Sequence, residues 1–175
     1  ASTTTLNAYT RPLLREHTQN LRRQLKALGF NDDFYLMLSS GGILSSELAS
    51  KIPVKAIESG PAAGALASTY YSASMARPNI LSFDMGGTTA KVCVISEGQP
   101  SVTNQFEVAR VARFERGSGL PVRIPVINMI EIGTGGGSIA RVDHLGLIQV
   151  GPRSAGADPG PSCYGQGGTA ATVAD

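Results

Sequence analysis

"LSFDMGGTTAKVCVI", residues 81–95, is the stretch on which the fold turns. An apolar run carries one acid, Asp84, and breaks at Gly86-Gly87-Thr88-Thr89 before a second apolar run begins at Lys91. Two β-like runs around a short turn predict a hairpin, with strands over 80–84 and 91–96. Glycine at 86 and 87 removes side chains, so backbone N–H groups can approach an anion. Thr88 and Thr89 add hydroxyls. A carboxylate at the end of a buried strand is costly unless it is partnered. Asp84 beside bare amides therefore suits nucleotide phosphate with a water-rich Mg2+. The same residues suit a plain tight turn that happens to hold Asp and Gly, and the local pattern leaves both readings open. The Gly-x-x-x-x-Gly-Lys-Ser/Thr pattern of a Walker A loop is absent.

Upstream, Leu14, Leu21, Leu25 and Leu28 recur at helical spacing with Arg15, Arg22, Arg23 and Lys26 between them. They predict a helix over 3–28, broken or started near Pro12 and stopped by Gly29. Its basic face reads as solvated or as a docking face. A strand over 34–42 follows, then a helix over 43–53 with Ser45 or Ser46 as its cap. A strand from Val54, a turn at 58–61 and a small-residue helix with Pro61 in its first turn complete this half. Downstream, Gly98-Gln99-Pro100 predicts a turn and 102–111 a strand, making 80–111 a β-meander. Residues 116–132 read as a loop and a strand, 133–143 as a glycine loop, 144–151 as a strand, and 152–168 as a Pro/Gly loop. The tail 169–175 shows no closing element. Strand–helix–strand–helix followed by a meander predicts an α/β fold, a mixed sheet with helices.

The 175 residues are 42% hydrophobic and 16% charged, so a packed core is expected rather than disorder. A net charge of +2 does not point to nucleic acid. Of 21 glycines, 11 fall between Gly133 and Gly168, so that half needs unusual backbone shapes or close approach. Cys93 and Cys163 sit in no metal or redox pattern, and no apolar run reaches membrane-spanning length. These features predict a cytoplasmic chain with neither nucleic-acid nor membrane partners. Glu131 reads as a general base or as a partner of Arg141 or Arg123. His144 beside Asp143 reads as a turn residue or as one half of a metal pair. "GTGGGS", residues 133–138, lacks the third glycine of a dinucleotide loop.

"ESGPAAGALAS" followed by "FDMGGTTAKV" resembles the connecting helix and second phosphate hairpin of the actin/hexokinase/heat-shock-chaperone ATPase superfamily. "MIEIGTGGGSIARVD" and "VGPRSAGADPGPSCYGQGGTAATVAD" resemble, more narrowly, the hydantoinase A/5-oxoprolinase family. The resemblance covers all 175 residues. It implies a ribonuclease-H-like, actin-like ATPase domain, present in part, with 1–79 as helix and connecting segment and 80–175 as hairpin, meander and glycine loops. It implies ATP with Mg2+ or another divalent metal, and phosphorylation of a cyclic-amide oxygen that prepares ring opening of hydantoin, N-methylhydantoin or 5-oxoproline. Related members serve ATP-dependent ketone carboxylation; a non-catalytic interaction role is the reading from another class. By the same resemblance, Asp84 and Thr88 are catalytic. Gly86, Gly87, Thr88, Thr89, Gly135, Gly136, Gly137 and Ser138 bind the nucleotide, and Asp84 and Asp143 hold metal. The implied partners are a small cyclic amide, a domain bearing another Asp-x-Gly-Gly-Thr hairpin, and a B-type hydantoinase subunit. One such hairpin predicts no robust ATP turnover by this chain in isolation. Asn128 stands where many members carry an acid, and Asn cannot act as a carboxylate.

Overall fold

The computed structural model of the chain describes residues 1–109 and 117–175. Helix α1 (Ser2–Ala27) runs through Pro12 without the expected break. An interior proline removes one helical bond and crowds the preceding turn. The first turns of the helix are anchored by tertiary bonds: Thr3 Oγ1 accepts from Arg123 N at 2.9 Å, and Asn7 Oδ1 from Val54 N at 3.3 Å. Gly29, at φ +90°, ends the helix as its sequence predicts.

Strands β1 (Tyr35–Met37) and β2 (Ile43–Ser45) pair antiparallel, Tyr35 opposite Ser45. Residues 43–45 are thus strand, and the expected helix starts later, as α2 (Ser46–Lys51). Ser45 is its cap, its Oγ accepting from Leu48 N. The strand expected from Val54 is instead a 3-10 turn, Pro53–Ala56. Ser39 holds that turn: its N and Oγ both donate to Lys55 O, at 2.7 and 2.8 Å. Helix α3 (Ser59–Ser74) carries Pro61 in its first turn, and Ala62 and Ala65 are wholly buried. Small side chains there let neighbours approach closely.

The sheet strands follow: β3 (Ile80–Met85), β4 (Ala90–Ser96), β5 (Gln99–Pro100), β6 (Val102–Thr103), β7 (Phe106–Val108), β8 (Leu120–Val122), β9 (Val126–Ile127), β10 (Ile130–Ile132), β11 (Ser138–Val142) and β12 (Ile148–Ser154). β4 lies between β3 and β10 and also pairs with β5. The single strand expected over 102–111 is two short ones with different partners, β6 with β9 and β7 with β8. Thr103 Oγ1 accepts from Gln105 N and inserts a bend between them. Residues 110 and 111 of that expectation lie outside the described residues. The glycine loop ends at 137, and 138–142 is strand β11, with Ala140 opposite Val150 on β12. The tail is tied down after all: Thr172 bridges Ile139, and Val173 N donates to Ser138 O.

The chain divides into two units. One comprises 1–80 and 95–128, the other 81–94 and 129–175. Residues 95–128 therefore group with the helices. The first unit has a core of Val54, Val122, Ile124 and Val126, with Leu6, Ile57, Phe106 and Val108 packed on it. The second unit holds the hairpin, the glycine loop and the Pro/Gly segment. Gly168 lies so close to Gly160 O that no side chain fits there. Among the described residues, no helix is long and apolar enough to cross a membrane.

Candidate functional site

The Gly86–Thr89 turn joins β3 to β4, closed by Gly86 N donating to Thr89 O at 3.0 Å. The triple-glycine loop lies directly against it. Gly136 N donates to Gly86 O at 2.9 Å and Gly137 N to Gly87 O at 2.8 Å. A peptide unit is planar and trans, so its C=O and its N–H point in opposite directions. Holding the Gly86 and Gly87 carbonyls on the loop therefore turns the next two amides, Gly87 N–H and Thr88 N–H, away from it. Among the described residues, nothing accepts from either amide. Both residues are exposed.

Gly135, Gly136, Gly137 and Ser138 were expected to touch nucleotide. Their own amides are already engaged. Gly135 N donates to Ser138 Oγ at 3.0 Å and Ser138 N to Gly135 O at 3.0 Å, while the middle two hold the hairpin. The loop is a backbone buttress. An added Cβ at Gly135 would stand 2.5 Å from Thr88 C, and one at Gly137 2.9 Å from Ser154 Oγ. Behind it, Ala174 N donates to Gly136 O at 2.9 Å, and Ala155 N to Gly137 O at 2.8 Å.

Asp84 is exposed, and no described residue bonds its carboxylate. This corrects one premise: β3 is mostly exposed, so desolvation does not compel a partner for Asp84. Thr88 Oγ1 is likewise without a bond among the described residues. Thr89 Oγ1 accepts from Lys91 Nζ at 3.1 Å, and Lys91 also meets Glu131 at 3.4 Å. Glu131 thus pairs with Lys91, not with Arg141 or Arg123. The pattern gave a signal for Lys91 that the expectations missed: residues 89 and 91 share one face of an extended strand.

Asp143 is elsewhere in its bonding. Its Oδ1 accepts from Leu145 N and Leu147 N, and its Oδ2 from Gln149 Nε2, closing the β11–β12 turn. Those bonds, led by that from Leu147 N, hold its carboxyl below the usual range. Asp143 thus makes three bonds within its own turn, and no group of three His, Cys, Asp or Glu converges among the described residues. His144 is an exposed turn residue. Asn128 is exposed, its N donating to Ser101 O. Asp175 accepts from Cys163 N, Thr172 N and Thr172 Oγ1, which brings its carboxyl down to about 2. The neighbouring Asp175 pushes the Cys163 thiol up, and burial does the same to Cys93.

The residues at the hairpin fit the phosphate of ATP: two outward amides, one free hydroxyl and a lysine nearby. They also fit Mg2+, which needs only one or two carboxylates and takes its remaining oxygens from phosphate and water. Comparisons with known proteins bear on the same segment. The family described as Hydantoinase/oxoprolinase matches residues 1–175. An uncharacterized protein of Methanocaldococcus jannaschii is 49% identical over 99% of this chain and 26% of its own. The caprolactamase subunit alpha of Pseudomonas jessenii is 34% identical over 99% of this chain and 24% of its own. A nucleotide-free structure of acetone carboxylase, from work on ATP-dependent acetone carboxylation, superposes with a TM-score of 0.69 at 28% identity. It covers 89% of this chain and 20% of that one. The chain thus spans about a quarter of the length of these curated relatives, and the likeness agrees with the α/β fold expected from the sequence.

Proposed function

Because this chain belongs to the hydantoinase/oxoprolinase family, we propose that it supplies one phosphate-binding wall of an ATP-dependent enzyme that opens cyclic amides. One observation carries the reading: the glycine loop grips the Gly86 and Gly87 carbonyls and thereby presents Gly87 N–H and Thr88 N–H beside the exposed Asp84. Pre-aimed amides in a fixed backbone stabilise phosphoryl charge without reorganising. Gly87 N–H, Thr88 N–H and Thr88 Oγ1 bind phosphate oxygens. Asp84 is the carboxylate available to a hydrated Mg2+ and to the proton of an attacking water. Lys91 holds Thr89 and keeps positive charge at the turn. ATP, when bound, would supply the phosphoryl group that, placed on an amide oxygen, opens the ring carbon to attack by water. Gly135 to Ser138 act by fixing the hairpin. A further domain with its own phosphate hairpin and a B-type subunit complete the assembly.

The caprolactamase subunit favours a ring amide as substrate, since caprolactam is one. The acetone carboxylase likeness favours a second reading, a subunit of an ATP-dependent ketone carboxylase. The test uses the full-length protein with whatever subunit co-purifies. ATP-dependent ring opening is assayed on caprolactam, hydantoin and 5-oxoproline, and bicarbonate-dependent carboxylation on acetone and acetophenone. Ring opening supports the first reading and carboxylation the second. Asp84→Asn abolishes either one while leaving the fold intact; full turnover in that variant removes Asp84 from the chemistry.

A further inference from the structure

A cavity of about 470 Å3 lies between α1 and α2, its lining wholly within the first unit. Arg11, Arg15, Thr18, Gln19 and Arg22 contribute from α1, and Ser46, Glu47, Ser50 and Lys51 from α2. The α1 positions 11, 15, 18, 19 and 22 recur at helical spacing and share one face. Four cations meet one carboxylate there, in a chain whose total net charge is only +2. Glu47 is taken by Lys51 at 2.8 Å. Arg22 is fixed by Ser46 Oγ at 2.9 Å, by Asp33 at 3.5 Å, and over the Phe34 ring. Arg11 and Arg15 are left as two exposed guanidiniums one turn apart, with no carboxylate partner among the described residues. Like charges at that spacing repel, so helix stability does not account for them.

No aliphatic or aromatic residue lines the cavity; its floor is the hydroxyl pair Thr18 and Ser50, 2.9 Å apart. Its volume falls in the range of small-molecule sites, about 300–1,000 Å3. Guanidiniums recognise planar or tetrahedral oxyanions by paired hydrogen bonds. We propose that the α1–α2 cavity binds a small hydrophilic polyanion bearing phosphate or carboxylate groups, held by Arg11 and Arg15 over the Thr18/Ser50 floor. Its lining residues belong to the first unit and those of the hairpin to the second.

The experiment is hydrogen–deuterium exchange of the full-length protein at low ionic strength, titrated with pyrophosphate and, separately, with tricarballylate. A saturable response confined within the first unit to residues 11–22 and 46–51 is expected for at least one anion. Arg11→Gln/Arg15→Gln should weaken it about tenfold or more, and Arg11→Lys/Arg15→Lys should retain part of it. A hairpin response to pyrophosphate is read separately at Gly86 to Thr89 and does not enter the result. No saturable response at the cavity, an unchanged affinity in the glutamine variant, or a response to polyglutamate alone overturns the proposal.

Discussion

Gly135 and Thr88 meet backbone to backbone: a Cβ on Gly135 would stand 2.5 Å from Thr88 C and 2.6 Å from Thr88 N. Neither atom belongs to a side chain that could swing aside. Gly135→Ala must therefore displace the hairpin or the loop. Overpacking of this kind costs about 1–3 kcal/mol, which should lower Tm by about 3–10 °C. Nucleotide binding by the assembled enzyme should fall with it. Differential scanning calorimetry beside ATP titration checks both.

Gly87→Ala supplies the contrast. Nothing lies within 4 Å of its added Cβ, and its φ is not in the left-handed region. Tm should stay within about 1 °C, since surface changes usually alter stability by less than about 0.5 kcal/mol. Any loss of ATP affinity is then read as crowding of the outward amide face. A Tm loss equal to that of Gly135→Ala would make Gly87 a folding residue instead.

Lys91 is largely covered and Glu131 half-exposed, with 3.4 Å between their charges. Glu131→Gln should cost under about 1 kcal/mol, as partly exposed pairs do. Lys91→Met should cost more, because it also releases Thr89 Oγ1. A double-mutant cycle on chemical denaturation separates the two contributions.

Asp175 and Asp143 both have lowered carboxyl pKa values, from bonds donated by Cys163 and Thr172 in one case and by Leu147 and Leu145 in the other. A carboxylate with a depressed folded pKa adds stability above its unfolded pKa, near 3.9, and loses it as pH falls through the folded value. Stability should thus drop between about pH 4 and the Asp175 value of about 2. Asp175→Asn should flatten that part of the profile, measured by thermal melts in acid. The same variant should raise the reactivity of the exposed Cys163 toward a disulfide reagent at pH 8, because the carboxylate that disfavours its thiolate is gone.

Asp143→Ala should loosen the β11–β12 turn, seen as faster amide exchange at Leu145 and Leu147. The Mg2+ dependence of nucleotide binding should not move, because its oxygens serve the turn. A weaker Mg2+ dependence would return Asp143 to the metal.

Local sequence determined the elements whose signals are short-range. The turn at 86–89 follows from adjacent glycines between two apolar runs, the α2 cap from Ser45, and the end of α1 from Gly29. The placement of Asp84, Gly86, Gly87, Thr88 and Thr89 at the β3–β4 turn was legible for the same reason. Tertiary structure decided what depends on pairing across long separations. The 102–111 run divides because its halves pair with β9 and β8, and Val54 joins a 3-10 turn because Ser39 takes Lys55 O. The glycine loop's part at the hairpin was equally hidden. A Gly-Gly-Gly run announces bare amides but not their acceptors, and here these are the carbonyls of Gly86 and Gly87, some fifty residues earlier. Asp143 shows the converse: an acid beside a glycine loop does not announce that its oxygens accept from the amides and the glutamine of its own turn. Composition and spacing state which groups are present, and only the folded backbone states which of them remain free.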